Sequence, residues 1–409
     1  MTVAFITQSA PYGRSEAFAI AEINALRRQG LDVRTVPVRP GRSMYHTDGR
    51  VLASTSVRAA LMSMPVLGAA LAEVASRPLV AIACARLVLK SRTTDHFFRN
   101  LAVVPKGLWL ARWARHSGVT HFHAYWATTP ATVAAVASLA SGVPFSFTAH
   151  AWDIEEDNLL SAKVGAARWV RTIADAGRAA LVDIVGSAAA DKTTTVHLGV
   201  EIPLKPVSPS RRDEFVFVTV ASLEPRKGHI HLLTAFRRLR QEQPETSLRL
   251  ILIGDGPLRT RLERQATLLG LARLVEFRGG IPHQALLAAI DAGAFDAMVL
   301  PSADGVAEGI PVALMEAMAR GLPVIATDSG GTRELVAGGG HLVPQGDAGA
   351  LADAMRSIAS HPPTRARIGR AARRKVIAQF DVDLTTRRLA DLLLLDLPEG
   401  AALVAGTSD

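Results

Sequence analysis

The feature that most constrains this chain is a regular alternation of short apolar runs with helical patterns. In the first half, Val3–Thr7 has the pattern of a buried strand, and the pattern of a helix follows from Ser15 to Gln29. The second half repeats the rhythm, with a strand over Phe215–Val220 and a helix over His229–Glu242. Strands that are apolar throughout and alternate with helices form parallel sheets covered on both faces. We therefore predict an α/β protein.

The remaining predicted elements continue this alternation. Further strands are expected at Val33–Val38, Thr120–His123, Pro144–Thr148, Leu248–Ile253, Val275–Arg278, Ala297–Leu300 and Pro323–Thr327. Further helices are expected over residues 130–140, 258–269, 283–292 and 311–319.

The two strand–helix series predict two domains, and 409 residues are enough for each to bury its own core. The Pro-, Ser- and Arg-rich stretch Lys205–Arg212 separates the series. We predict Rossmann-like domains at residues 1–205 and 206–380, and a tail at 381–409 with a helix that docks back on the body. Ligands of such sheets bind beyond the carboxyl ends of the strands. We therefore expect the parallel sheets to face each other across a binding cleft.

The charge of the chain points to an anionic partner. The formal net charge is +9, and nearly all of the excess lies in the first half, most densely over residues 51–150. A one-sided basic charge favours nucleic acid, an anionic membrane or a phosphorylated ligand. Because no nucleic-acid-binding motif is present and the basic residues are interleaved with apolar ones, we do not expect nucleic acid to be the partner.

The cysteine content and the apolar segments bear on the compartment. The single cysteine, Cys84, excludes a disulfide framework and a site built from several thiolates, so a reducing, cytoplasmic setting is expected. No signal-peptide pattern is found near Val3. Charges at Glu73, Arg77 and Arg86 interrupt the apolar stretch 59–89, which we expect not to span a membrane. It could still lie on one.

The most specific segment begins at Glu308 and runs Glu-Gly-Ile-Pro-Val-Ala-Leu-Met-Glu to Glu316. Gly309 permits close backbone approach and Pro311 suits the first position of a helix, whose free amides favour an anion such as phosphate. The two carboxylates are suited to accept hydrogen bonds from sugar hydroxyls. The alternative is that Glu308 caps the helix and Glu316 is a solvated helix residue.

Three other loops strengthen the ligand-binding interpretation. Gly330 and Gly331 precede a predicted helix, while Arg226 and Lys227 supply cations after the first strand of the second half. Gly254 follows the next strand, but the third glycine of a dinucleotide fingerprint is missing, which disfavours NAD. Glycines, cations and carboxylates at neighbouring strand ends suit a nucleoside diphosphate.

Several polar residues of the first half have two interpretations each. His150 at a strand end is either a packed core residue or a site residue, and Asp153 is either a helix N-cap or a carboxylate of an acceptor site. His121 and His123 share one strand face, but without a nearby acid we favour a structural role over a metal pair.

These motifs together resemble the retaining glycosyltransferases of family 4, which have the GT-B fold. The glutamate pair of residues 308–316 is the most specific mark, and the resemblance runs from about residue 3 to 380. The segments 11–18, 121–124 and 145–154 resemble the branch that builds exopolysaccharides of the colanic-acid type. The resemblance implies an acceptor-binding first domain and a donor-binding second domain.

The resemblance also implies roles for single residues. Glu316 would hold the ribose hydroxyls and Glu308 a hydroxyl of the donor sugar. Lys227 would neutralise the diphosphate leaving group, together with backbone amides near Ile310 and Val312. No bound metal is expected, because lysine and helix amides take its place.

Further residues complete the predicted site. His150 would line the reaction centre, and Gly13 would let the first loop approach the phosphates. The family usually has a glycine–arginine pair where this chain has Ala221-Ser222, and Arg226 could replace that arginine. Residues also assigned to the donor side are Gly254, Arg278 and Gly309, and those assigned to the acceptor side are Ser15, Glu16 and Asp153.

The predicted function is that of a metal-independent, retaining hexosyltransferase. It would transfer sugar from a nucleoside-diphosphate sugar, UDP or GDP, to a polysaccharide precursor that is lipid-linked at the cytoplasmic face of the membrane. No permanently bound cofactor is expected. Two alternatives remain: transfer to a soluble small molecule, and a non-catalytic scaffold in a polysaccharide assembly complex, which the change at Ser222 motivates.

The basic, apolar region 58–115 has two interpretations as well. Trp109 and Trp113 fall on one face of a predicted helix, with Arg112 and Arg115 nearby. Such a helix could lie in an anionic membrane interface. The alternative is a set of core helices with solvated arginines.

Overall fold

The computed structural model describes residues 1–13, 16–41, 49–207, 212–303, 305 and 308–395. They divide into two compact units. The first unit comprises Met1–His197 together with the described residues from Val382 onward, and the second comprises Leu198–Asp381.

The first unit is built on a six-stranded sheet in the order β2-β1-β3-β4-β5-β6, and all strand pairs in it are parallel. Helices cover both faces, so that Phe5, Phe122 and Phe147 are fully buried. The strands are β1 Thr2–Thr7, β2 Asp32–Pro37, β3 His121–Ala124, β4 Phe145–Ala149, β5 Val170–Thr172 and β6 Thr193–Thr195. The helices are α1 Ala17–Arg28, α2 Arg50–Ala53, α3 Met64–Ser76, α4 Pro78–Val88, α5 Thr94–Ser117, α6 Thr129–Ser141, α7 Ala151–Glu156, α8 Leu160–Ala166 and α9 Asp175–Val185.

The second unit repeats this plan with the strand order β12-β11-β10-β7-β8-β9, again parallel throughout. Its core packs Phe217, Phe236 and Leu250 between the sheet and its helices. The strands are β7 Phe215–Val220, β8 Leu248–Ile253, β9 Val275–Gly279, β10 Ala297–Leu300, β11 Val324–Thr327 and β12 His341–Val343. The helices are α10 His229–Glu242, α11 Arg259–Leu268, α12 His283–Asp291, α13 Val312–Ala319, α14 Gly331–Val336, α15 Ala348–Ser360 and α16 Pro362–Gln379.

The two parallel sheets confirm the predicted fold class of two Rossmann-like α/β domains. Strands β7, β8 and β10 and helix α10 begin and end at the predicted residues. One local prediction is wrong by a residue, since Pro311 precedes α13 with an extended ψ of 106° instead of occupying its first turn.

The final helix, α17 Val382–Leu394, packs on α1 of the first unit. Gln29 Nε2 donates a hydrogen bond to Thr386 Oγ1 at 2.7 Å, and Arg28 pairs with Asp383 at 2.9 Å. Of the predicted tail at 381–409, residues 396–409 lie outside the described residues.

A buried ion pair joins α1 to β5 inside the first unit. Arg171 donates to both carboxylate oxygens of Glu22, at 2.6 and 2.9 Å, and neither side chain is exposed by more than 1%. Arg171 also donates to the carbonyl oxygens of Val196 and His197, at 2.7 and 2.8 Å. The pair therefore connects three segments of the core.

The region before β3 is helical. Trp109 and Trp113 on α5 are partly buried and pack against the hydrophobic core, which corresponds to the core-helix alternative for these two residues. Within the described residues, no single helix is long and apolar enough to cross a membrane; α3 and α4 pass that test only as a pair bent by 112°.

Candidate functional site

The predicted phosphate loop of the second unit follows β7. Pro225–Lys227 form a turn of 3-10 helix, and Gly228 then adopts a left-handed conformation with φ 60° before α10 begins. A Cβ atom at Gly228 would lie 1.8 Å from the carbonyl oxygen of Pro301, so only glycine fits there. This close approach brings the loop against the end of β10.

Lys227 and Glu308 meet at this edge of the sheet. Lys227 Nζ donates to both carboxylate oxygens of Glu308 at 2.8 Å, and the two side chains are 19% and 7% exposed. Ser302, which follows β10 and was not predicted, donates to Glu308 Oε1 at 2.9 Å. The structure thus joins two residues that are 81 positions apart and that the sequence analysis assigns to one donor site.

The backbone around Glu308 is held by the second glycine-rich loop. Glu308 N donates to Ser329 Oγ at 3.1 Å, and Gly331 N donates to the carbonyl oxygen of Glu308 at 2.8 Å. Gly330 has φ 45°, and a Cβ atom there would lie 2.4 Å from that carbonyl oxygen. The Gly330–Gly331 pair therefore holds the backbone of Glu308 in place.

Glu316 lies on α13 and is 6% exposed, so it is not a solvated helix residue. Its Oε1 forms a hydrogen bond of 2.5 Å with Nε2 of His283, the first residue of α12. Glu308 does not cap α13, because Pro311 occupies the position before its first residue. Both glutamates are therefore placed as buried acceptors, one on a loop and one inside a helix.

The amides predicted near Ile310 and Val312 lie between these glutamates. Ile310 is buried and Val312 is the first residue of α13. The first amides of a helix have no acceptor within the helix, which leaves them suited to an anion. Gly309, next to Ile310, is half-buried.

The cations on the donor side differ in their surroundings. Arg226 Nε is buried and has no hydrogen-bond partner among the described residues. Arg278 instead is exposed and pairs with Glu276 at 2.8 Å. Arg226 directly precedes Lys227 in the same 3-10 turn, whereas the hydrogen bonds of Arg278 within the described residues go to Glu276.

Gly254 is required by packing between two loops. Its φ is 144°, and a Cβ atom there would lie 1.9 Å from the carbonyl oxygen of Ala221. The loops that follow β7 and β8 are therefore in backbone contact, which leaves no room for a side chain at Gly254.

His229 follows the phosphate loop and is almost fully buried. Burial, and to a smaller extent the charge of Lys227, lowers the pKa of His229 from 6.5 to about 4. The imidazole is therefore neutral at pH 7 and adds no positive charge beside Lys227.

This pKa shift predicts a pH-dependent stability. Between pH 4 and 6.5 the unfolded state binds the proton that folded His229 rejects, so stability falls as the pH drops through this window. His229→Phe has no titrating group at this position. Between pH 6.5 and pH 4 its free energy of unfolding is therefore expected to fall by up to about 3 kcal/mol less than that of wild type. The measurement is urea unfolding at several pH values, with His231→Phe on the same helix as control. If the plots of unfolding free energy against pH are parallel for wild type and His229→Phe, the prediction is wrong.

In the first unit, His150 lies at the end of β4, immediately before α7. Both ring nitrogens are buried, and neither has a hydrogen-bond partner among the described residues. The ring lies 4.2 Å, centroid to centroid, from that of Trp126, and Nδ1 is 3.7 Å from Asp153 Oδ2. The ring nitrogens of His150 could therefore still donate to or accept from a ligand.

Asp153 and Glu16 both bind backbone amides. Asp153 accepts from the amides of His150 and Ala127, each at 2.6 Å, so it organises two loops, and it is the third residue of α7 instead of its N-cap. Glu16 accepts from the amides of Gln8, Ser9 and Ala10, at 3.0, 2.6 and 2.7 Å. The structure thus gives both carboxylates a positioning role.

The loop between β1 and α1 also depends on Gly13. A Cβ atom there would lie 1.9 Å from Ser9 Oγ, which itself donates to Glu16 at 2.8 Å. Ser15 lies outside the described residues.

A second lysine supports the loop that carries Trp126. Lys163 on α8 is fully buried and donates to the carbonyl oxygens of Ala127, Thr128 and Asn158, at 2.7, 2.9 and 2.6 Å. Burial lowers the pKa of Lys163 to about 7. Together, Lys163 and Asp153 hold this loop from two sides.

These loops enclose a cavity of about 300 Å³ within the first unit. Trp126 donates from Nε1 to Glu16 at 2.7 Å, and Trp152 is half-exposed. Arg39, also on the lining, is exposed. Of the lining, only Glu16 belongs to the predicted site. The lining residues are Gln8, Glu16, Arg39, Arg99, Trp126, Thr128, Thr129, Trp152 and Glu156.

His121 and His123 are core residues. Both are fully buried and form hydrogen bonds with Ser146 Oγ, at 2.7 and 2.8 Å, and His123 also bonds Thr148 Oγ1 at 2.9 Å. Among the residues that the structure describes, no group of three or more His, Cys, Asp or Glu side chains is arranged to hold a metal ion.

The second unit matches a known family. Residues 202–375 match the model of the family described as glycosyl transferases group 1. WcaL of Salmonella typhimurium, assigned to colanic acid biosynthesis as a glycosyltransferase, is 36% identical over 210 residues, which are 50% of this chain and 48% of WcaL. A GDP-mannose-dependent α-(1-6)-phosphatidylinositol monomannoside mannosyltransferase of Mycolicibacterium smegmatis is 34% identical over 187 residues, 44% of this chain and 48% of that enzyme. The chain spans about half the length of the curated relatives it matches.

The fold extends over nearly the whole chain. The crystal structure of Anabaena HepE in complex with UDP has a TM-score of 0.70 and 22% identity, and the match covers 97% of this chain and 100% of HepE. At this identity the match establishes the fold alone. Together with the sequence matches, it confirms the predicted resemblance to GT-B glycosyltransferases of the exopolysaccharide branch.

Proposed function

We propose that this chain, which carries a glycosyl transferases group 1 domain at residues 202–375, transfers a sugar from a nucleoside-diphosphate sugar to a saccharide acceptor. The observation that carries the proposal is the Lys227–Glu308 pair, with both N–O distances at 2.8 Å, on the loops that follow β7 and β10. Ligands of parallel α/β sheets bind at this edge. Glu316, on the helix that follows, completes a set of one cation and two buried carboxylates.

When the donor binds, the ammonium of Lys227 would exchange its hydrogen-bond partner. In the described structure Lys227 bonds Glu308, and a diphosphate would replace that carboxylate as the partner of the ammonium. Glu308 would then be free to accept from a hydroxyl of the donor sugar, with Ser302 still bonded to it. Cleavage of the glycosidic bond increases the negative charge on the diphosphate, so a fixed cation stabilises the transition state more than the ground state. Lys227, Arg226 and the first amides of α13 supply this charge without a metal ion.

The proposed stereochemistry is retention by front-face attack, with the departing phosphate accepting the proton of the acceptor. With the donor bound, Ser302 would still donate to Glu308 and a sugar hydroxyl would donate as well, which makes this carboxylate a poor nucleophile. His150, with unused ring nitrogens in the first unit, would contact the donor sugar. A carboxylate nucleophile is the competing mechanism.

The acceptor would occupy the cavity of the first unit. Trp126 and Trp152 offer aromatic faces for a sugar ring, and Thr128 and Thr129 offer hydroxyls. Arg39 adds an exposed cation to the lining, which suits an acceptor with a negative charge. We propose a lipid-linked polysaccharide precursor at the cytoplasmic face of the membrane, which the biosynthetic roles of the relatives support. A soluble small-molecule acceptor is the second candidate.

The test is incubation of the protein with a panel of UDP- and GDP-sugars, with release of the nucleoside diphosphate followed with and without a membrane lipid extract. Release that depends on the extract is expected. A protein that neither releases nucleotide nor shifts its melting temperature with UDP or GDP would instead be a scaffold, and would overturn the proposal. Both nucleotides belong in the panel, since HepE was solved with UDP and the mycobacterial relative uses GDP-mannose.

Glu316→Ala is expected to weaken nucleotide binding about 10- to 100-fold, because charge-assisted hydrogen bonds to the ribose are lost. Titration of the preferred nucleoside diphosphate by calorimetry measures the effect. Glu214→Ala removes a half-buried carboxylate of the same unit that pairs with Arg249 before the start of β7, and is expected to leave the affinity unchanged. Equal affinities for wild type and Glu316→Ala would remove Glu316 from the site.

A further inference from the structure

Helices α3 and α4 of the first unit expose an apolar surface. Met64 and Leu71 on α3 are 80% and 71% exposed, and Leu79 on α4 and Leu89 just after it are 78% and 70% exposed. Val74 and Ile82 extend the same surface. We call these six residues the α3–α4 surface. Exposed apolar side chains grouped on two neighbouring helices are typical of an interaction site.

The exposed residues follow helical spacing. On α4, Leu79, Ile82 and Leu89 recur at intervals of three and seven, while Cys84 and Val88 on the opposite face are buried. Each helix thus has an inner face packed on the core and a second apolar face that points outward. A helix of a soluble domain normally presents polar residues on that outer face.

The charges around the α3–α4 surface are almost all positive. Arg86 on α4 and Lys90 just after it are exposed. From Val57 to Thr94 the only acidic residue is Glu73, which is 2% exposed and paired with Arg115. Within residues 57–94 the chain therefore offers exposed apolar side chains, cations and no exposed carboxylate; the next acid along the chain, Asp95, is exposed and pairs with Arg99.

We propose that the α3–α4 surface binds the interface of a bilayer that contains anionic lipids. Apolar side chains entering the acyl boundary and cations beside them are the two elements of such binding. The helices would lie in the interface, since the break at Arg77 bends the pair by 112°. The exposed leucines lie on α3 and α4, inside the stretch 59–89 that the sequence allows to lie on a membrane, whereas Trp109 and Trp113 pack against the core. The proposal does not depend on sugar transfer.

The test is co-sedimentation of the full chain with vesicles of phosphatidylcholine, with and without phosphatidylglycerol, in the absence of nucleotide. Binding to the anionic vesicles is expected, together with a loss of roughly tenfold or more for Leu79→Glu/Leu89→Glu. Arg86→Glu/Lys90→Glu is expected to lower binding to the anionic vesicles only. The control is Leu268→Glu on α11, where the leucine is also 80% exposed, and it is expected to bind as wild type does.

Two outcomes would overturn the proposal. One is equal sedimentation of wild type and Leu79→Glu/Leu89→Glu, provided that both melt at the same temperature. The other is a wild-type dimer in sedimentation velocity that this variant dissociates, which would assign the α3–α4 surface to a second copy of the chain. Because no donor or acceptor is present, neither result bears on the transferase proposal.

Discussion

Replacing Lys227 with methionine is expected to lower the rate constant of sugar transfer by about 10²–10³-fold, the usual cost of removing one group that stabilises transition-state charge. The ammonium lies 2.8 Å from both oxygens of Glu308 in the described structure and would move to the diphosphate when the donor binds. Since charge on the diphosphate grows as the bond breaks, the loss should fall mainly on kcat, with a smaller rise in KM. Initial rates at saturating acceptor and varied donor measure both.

The controls separate chemistry from folding. Lys375→Met removes a lysine of the same unit that bonds the carbonyl oxygen of Ala337, and should leave kcat unchanged. Lys227→Arg keeps the charge and should recover part of the rate. Lys227→Met also leaves Glu308 with Ser302 as its remaining side-chain donor, so the melting temperature must be compared with that of wild type. A folded Lys227→Met protein with wild-type kcat would refute the role of Lys227.

The sequence predicts that Lys227 and Glu308 come together, because both residues follow the carboxyl ends of strands. Strands buried on both faces are apolar throughout, so β7, β8 and β10 stand out, and the residues that follow them must meet at one edge. The parallel arrangement of the strands alone therefore predicts that Lys227 and Glu308 lie close together. The glycines have a physical basis as well, since a side chain at Gly228 or Gly254 would collide with a neighbouring loop.

Other features could not be predicted, because they depend on contacts between distant segments. His283 reaches Glu316 from the start of α12, and no local pattern marks that histidine as different from His121. Glu16 was assigned to the acceptor side by its motif, but its carboxylate binds three amides of its own loop. The signal for the cavity was available in the two tryptophans at 126 and 152, each close to a strand end.

The pattern of the apolar helices is ambiguous for another reason. The helical spacing of apolar residues identifies two apolar faces on α4, but it does not predict which face packs against the core. Only the packing of the helix against its neighbours distinguishes Cys84, which is buried, from Leu79, which is exposed. Short strands are a further limit, since β5 has three residues, and one of them is the charged residue Arg171.

Arg171→Met is expected to destabilise the first unit by about 3–5 kcal/mol, because it leaves the buried carboxylate of Glu22 without its partner. The two side chains are at most 1% exposed, so water cannot replace the lost hydrogen bonds. Urea unfolding followed by tryptophan fluorescence measures the change, and all five tryptophans of the chain lie in the first unit. The matched control is Arg28→Met, whose exposed pair with Asp383 should contribute less than about 1 kcal/mol.

The double variant Glu22→Leu/Arg171→Met distinguishes a charge effect from a packing effect. If the cost of Arg171→Met comes from an unpaired charge, removing Glu22 as well should restore part of the stability, since apolar replacements of a buried pair are often tolerated. Full recovery is not expected, because the carbonyl oxygens of Val196 and His197 also lose a donor. A double variant less stable than Arg171→Met would show that the arginine acts mainly through packing and these carbonyls. A single variant within 1 kcal/mol of wild type would contradict the prediction.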